Sequence, residues 1–89
     1  MIWGIEFLQE AEKDMKRLDH SVQIQVLKGI KKVSKNPLPV SQGGYGKPLG
    51  NKENTNLTNL MKIKFRDIGI RVVYKIEYVD EVMKIIVIS

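Results

Sequence analysis

The hydrophobic period of this chain changes once along its length, and that change restricts the fold more than any other feature. Leu8, Ala11, Met15 and Leu18 recur at intervals of three and four, as do Val22, Val26, Ile30 and Val33. Each set paints one apolar stripe along a helix. From Met61 the interval drops to two. Met61, Ile63 and Phe65 alternate with Lys62, Lys64 and Arg66; Ile70, Val72, Tyr74, Ile76 and Tyr78 alternate with Arg71, Val73, Lys75, Glu77 and Val79. A strand with one buried face needs this alternation. A helical half followed by a strand half predicts an α+β fold, with two helices packed on one face of the sheet.

The residues between these segments set their limits. Ile2 to Glu6 reads as a short first strand. Asp19 to Ser21 offers short polar side chains that can cap the second helix, and Asn36-Pro37 stops it, because proline disfavours helical geometry in the residue before it. Asp67-Ile68-Gly69 and Asp80-Glu81 make turns, and Val82 to Ile88 is the last strand. The predicted order is β-α-α-β-β-β, with the last three strands in an antiparallel meander and the place of the first strand left open. Residues 36 to 59 hold all three prolines, four of the seven glycines and the polar run NKENTN, so a mobile surface loop is expected there. The spacing of Gly43, Gly44 and Gly46 matches no phosphate-cradling motif and reads as a flexible turn.

At 89 residues the chain has enough material for one compact core, so residues 1–89 are expected to form a single domain. No apolar stretch is long enough to span a bilayer, and the start MIWGIEFLQEAEKD turns acidic where a signal peptide would be basic; a soluble, cytoplasmic protein is expected. There is no cysteine and one histidine, His20. Thiolate and histidine metal sites are thereby excluded, no paired acidic motif suggests a carboxylate one, and no cofactor is expected. Hydrolytic chemistry would fall to Lys, Arg, Tyr, Asp and Glu.

Fifteen Lys and Arg stand against ten Asp and Glu, a formal charge of +5. The charge is not spread evenly. Residues 21 to 52 carry Lys28, Lys31, Lys32, Lys35, Lys47 and Lys52 with no acid, a field suited to a polyanion or an acidic protein. On the strands, an even-length connection from Phe65 to Ile70 would bring Arg71 to the face that carries Lys62, Lys64 and Arg66. Like charges opposite one another on a sheet are destabilising, so an anionic partner is expected to compensate. Outward strand cations are also ordinary solvated residues in many proteins. Against that reading stands the lack of any acid among these four, apart from the turn residue Asp67. Tyr74, Tyr78 and Trp3 are expected in the core and His20 as a surface or capping residue; Tyr45, in the loop, is read as an anchor in preference to a ring that stacks on a base.

The stretch LMKIKFRDIGIRVVYKI, preceded by YGKPLG and by the helix-ending Asn36-Pro37, resembles the central signature of RelE-type toxins of the RelE/ParE superfamily. In that signature a Lys-x-Lys-x-Arg strand runs into a Gly-x-Arg-x-Val-Tyr strand. The resemblance implies a ribosome-dependent endonuclease of messenger RNA that needs no metal and is silenced by a cognate antitoxin, an acidic or partly disordered protein. It implies that Lys62, Lys64 and Arg71 bind and act on the scissile phosphate, with Arg66 as a supporting cation; Lys47 and Lys75 are expected as further RNA-binding cations. RelE-type chains also carry a basic, tyrosine-containing segment and a helix beyond the last strand, which supply part of the site; the expectation is a domain without that tail and weakened in cleavage. Two other functions are compatible with the superfamily: a ParE-like inhibitor of DNA gyrase, and a non-catalytic module that only holds an antitoxin.

Overall fold

The structure, a computed structural model, describes residues 3–49 and 60–89. Ile2 and the run NKENTN lie outside the described residues. The elements are β1 (Gly4–Phe7), α1 (Gln9–Lys16), α2 (His20–Ser34), β2 (Lys47–Pro48), β3 (Leu60–Phe65), β4 (Ile70–Glu77) and β5 (Val82–Ile88), with one short 3-10 turn at Val40–Gln42. The expected order is present, with the two-residue strand β2 added. No helix among the described residues is long and apolar enough to cross a membrane.

The five strands form one sheet in the order β1-β5-β4-β3-β2. The meander β3-β4-β5 is antiparallel, and β1 closes the far edge parallel to β5, with Gly4 opposite Val82 and Phe7 opposite Ile85. A bulge between Val73 and Tyr74 shifts the β4–β5 register. One face of the sheet carries the core: Met61, Val72, Tyr74, Ile76, Met83, Ile85 and Ile88 are buried, under Ala11 of α1 and Val26, Ile30 and Val33 of α2. These helix residues belong to the two stripes read from the sequence. Asp19 is the N-cap of α2 but makes no side-chain capping bond. Asp14 of α1 instead reaches the sheet, where its Oδ2 accepts the Ile88 amide at 2.9 Å.

Residues 36 to 49 depart from the expected mobile loop. Tyr45 N donates to Asn36 O (2.8 Å), Gly46 N to Leu38 O (2.9 Å), Val40 N to Gly46 O (2.8 Å) and Gly44 N to Pro39 O (3.1 Å). From below, the buried Tyr74 hydroxyl donates to Pro37 O at 2.8 Å. Glycine is required where the loop folds on itself: a Cβ on Gly44 would meet Leu38 O at 2.0 Å, and one on Gly46 would meet Pro37 O at 2.5 Å. The glycines therefore make a compact, cross-bonded loop and not a flexible turn, because their missing side chains let two backbone segments touch. Tyr78 also departs from expectation. β4 ends at Glu77, so the alternation stops there, and Tyr78 lies in the turn, half exposed, with its ring edge-on to Trp3 at 6.1 Å. Trp3 itself is buried as expected.

Candidate functional site

The turn between β3 and β4 decides which side chains meet. It spans four residues, Arg66 to Gly69, with Gly69 at φ 65° in the left-handed region that favours glycine. An even count preserves parity. Phe65 pairs with Ile70, Lys64 with Arg71 and Lys62 with Val73, so Lys62, Lys64 and Arg71 share the face turned away from the helices. β2 brings Lys47 opposite Lys62. Residues directly opposite on antiparallel strands have Cβ atoms about 4.5–5.5 Å apart, so Lys64 and Arg71 form one like-charge pair and Lys47 and Lys62 a second.

The Lys64 ammonium feels this crowding. Its pKa is lowered from 10.5, chiefly by Lys62, then by Arg71, by partial desolvation, by Arg66 and by Lys47. At the other end of the same face the charges are balanced. Lys84 on β5 lies 3.2 Å from Glu77 and 3.9 Å from Glu6, and its pKa is raised by the hydrogen bond and charge of Glu77 and by the charge of Glu6. Among the described residues no carboxylate forms such a pair with Lys62, Lys64 or Arg71. A face of ordinary solvated charges would mix its signs throughout. This one separates them, neutral toward β1 and β5 and positive toward β3, which is a disposition for receiving an anion.

Two hollows flank Lys64. The first, about 300 Å³, lies between the cations Lys64, Arg66 and Arg71, over Phe65, Gly69 and Ile70. The second, about 230 Å³, is lined by Gly29 and Val33 of α2 and by Ile63. Lys32, Lys47, Lys62, Lys64 and Tyr45 complete its lining. α2 can approach β3 this closely because residue 29 is glycine: a Cβ there would meet the Phe65 ring at 2.4 Å. Lys75 is exposed on the outer face opposite Leu60 and lines neither hollow.

Of the six residues singled out from the sequence, the structure brings five, Lys47, Lys62, Lys64, Arg66 and Arg71, around these two hollows. Lys32 and Tyr45 were not among them. The signal for Lys32 was its place three residues after Gly29, on the side of α2 that meets β3. For Tyr45 the signal was an aromatic in a polar loop, but its place beside the cations depends on how the loop folds.

Fold and site together define a small α+β domain that presents a cationic, two-hollow surface on a mixed sheet. That fold is the RelE toxin fold. A free-state mutant of E. coli RelE superposes with a TM-score of 0.77 at 25% identity, over 100% of this chain and 83% of that one. The intact E. coli RelBE toxin–antitoxin complex matches with a TM-score of 0.76 at 22% identity, over 98% of this chain and 94% of that one. The toxin–antitoxin complex RelBE2 of Mycobacterium tuberculosis matches with a TM-score of 0.77 at 20% identity, over 100% and 91%. No family model matches the sequence, and the comparison with curated proteins gives no match.

Proposed function

We propose that this chain is the toxin of a type II toxin–antitoxin pair, acting in the cytoplasm as a ribosome-dependent endoribonuclease of messenger RNA. The observation that carries the reading is the Lys64–Arg71 pair, set beside Lys62 over a hollow, in a fold shared with the RelE toxins. The reaction is an internal transfer. The RNA 2′-oxygen loses its proton and attacks the adjacent phosphorus, the bond to the 5′-oxygen breaks, and the products are a 2′,3′-cyclic phosphate and a 5′-hydroxyl. It requires a proton acceptor, a proton donor and cations for the added negative charge at phosphorus.

Each requirement has a candidate. Arg71 offers a planar fork of donors that can hold two phosphate oxygens at once. Lys64 has its pKa lowered by its cationic neighbours, so a larger share of it is neutral at a given pH, and it takes the 2′-hydroxyl proton. Lys62 and Arg66 supply charge to the transition state, and Lys47 and Lys75 hold the flanking backbone. No metal or cofactor is invoked.

The partner in this reading is an antitoxin, as in the RelBE complexes that share the fold. An acidic chain would neutralise the basic face, and Leu8, Ile24 and Leu27, exposed on or beside the two helices, offer it apolar contacts. The test is translation in vitro, with the message mapped by primer extension. Cuts that appear only with ribosomes support the reading. Gyrase inhibition without cutting would replace it with a ParE-like activity, and neither effect would leave a binding module.

A further inference from the structure

Tyr45 is held far more firmly than a residue that merely fills a loop needs to be. The residue is 50% exposed, yet its amide is bonded to Asn36 O and the amides on either side are bonded to Pro39 O and Leu38 O. Both neighbours, Gly44 and Gly46, are at places where a side chain would strike backbone. Asn36 Nδ2 adds a bond to Gly43 O at 3.3 Å. The loop thus fixes the direction in which an aromatic ring meets solvent, and the conformational cost is met during folding and not at the moment of binding.

The ring is also placed beside the cations. Lys32 Nζ lies over it, 5.8 Å from the centroid, within the range of a cation–π contact. Lys32 stands over one face of the ring, and the tyrosine stays half exposed. The ring lines the hollow whose lining includes Lys62 and Lys64, and Lys64 also lines the neighbouring hollow with Arg71. At about 230 Å³ the second hollow falls below the roughly 300–1,000 Å³ of pockets that enclose a whole ligand. It suits one planar ring system. Tyr78, the other half-exposed tyrosine, rests on Trp3 away from these cations.

We infer that Tyr45, backed by Lys32, is a stacking platform for one unpaired base next to the phosphate held by Lys64 and Arg71. This subsite rests on the RNA reading above. Because every base has a π-face, the contact recognises a single-stranded segment and tolerates its sequence. It contributes hold and position without taking part in the proton transfers.

The experiment uses the whole chain and a short single-stranded RNA made uncleavable by 2′-O-methyl groups, in a series with an abasic site moved one position at a time. Tyr45→Ala should weaken binding of the intact RNA roughly 5- to 150-fold, the equivalent of ~1–3 kcal/mol per stacked base. Tyr45→Phe, which keeps the ring, should bind like the parent. At one position the abasic RNA should bind the parent weakly and Tyr45→Ala no worse than intact RNA does. The salt dependence of Tyr45→Ala should keep its slope, because no phosphate contact is lost.

If Tyr45→Phe loses as much affinity as Tyr45→Ala, or if Tyr45→Ala is weakened equally at every abasic position, the stacking role is wrong. A fall in thermal stability with unchanged RNA affinity makes Tyr45 a loop anchor and also overturns it. Arg71→Ala separates this failure from that of the parent reading. Binding that depends on Arg71 but not on Tyr45 removes only the subsite. Absence of free-RNA binding by the parent chain also overturns the subsite, while the parent reading stands or falls on cleavage with ribosomes.

Discussion

Replacing Tyr74 by phenylalanine deletes one oxygen and tests whether the loop is built as described. The hydroxyl is fully buried and donates to Pro37 O at 2.8 Å, across 37 residues of sequence. Without it, a buried carbonyl loses its donor, which costs about 1–3 kcal/mol, whereas deleting both partners of such a bond would cost less. The ring remains, so little packing is lost. In a domain of this size each kcal/mol lowers Tm by roughly 4–8 °C, so the fall should be at least about 4 °C. The loss should also be local. The amides of Tyr45 and Gly46, bonded to Asn36 O and Leu38 O, should exchange faster relative to those of β5, and RNA affinity should drop although no cation has changed. Thermal denaturation with hydrogen exchange by NMR measures both. An unchanged Tm with unchanged exchange at Tyr45 and Gly46 would show that Tyr74 does not hold the loop.

Arg71→Ala, an exposed strand position, should change stability by no more than about 0.5 kcal/mol while abolishing most ribosome-dependent cleavage; unchanged cleavage removes Arg71 from the site. Because Lys62 is the largest cause of the lowered Lys64 pKa, Lys62→Ala should move the ascending limb of the pH–rate profile to higher pH, and a limb that stays put excludes Lys64 as the proton acceptor. Burial raises the Tyr74 pKa above its usual 10.0. A raised folded pKa means that the stabilisation is present below pH 10.0 and lost as pH rises through the folded value, so denaturation midpoints should fall above that pH, less so in Tyr74→Phe. Lys64 acts in the opposite sense: its folded pKa lies below 10.5, so its repulsion is relieved as pH climbs toward that value. RNA affinity should fall with salt at a slope of roughly −0.7 per phosphate contact on single strands, and Lys62→Ala and Lys64→Ala should each flatten it.

The parts of this fold that were legible in the sequence are those governed by local period. The helix stripes and the strand alternation located α2, β3, β4 and β5, and parity across an even turn brought Arg71 to the face of Lys62 and Lys64, where the structure pairs it with Lys64. Nothing local could place β1, whose parallel pairing with β5 joins the two ends of the chain. Parity misled at Tyr78, because alternation has meaning only while the strand lasts, and β4 ends one residue earlier. The loop was misread for a different reason. Glycine and proline are shared by flexible segments and by tightly folded ones; what distinguishes the two here is the contact of Gly44 and Gly46 with Leu38 and Pro37, which is tertiary. The same limit hid the meeting of Tyr45 and Lys32, brought together from a loop and a helix.

In the proposed reaction the cations around Lys64 promote attack by the RNA's own 2′-oxygen. A message carrying a single 2′-deoxy nucleotide at the mapped cut, placed in programmed ribosomes, tests it most directly. Cleavage at that position should vanish while cuts elsewhere persist, and the unmodified message should yield a 2′,3′-cyclic phosphate and a 5′-hydroxyl. Cleavage of the deoxy-substituted message at an undiminished rate, or products ending in a 3′-hydroxyl and a 5′-phosphate, would contradict the account, because the attacking oxygen would then come from water.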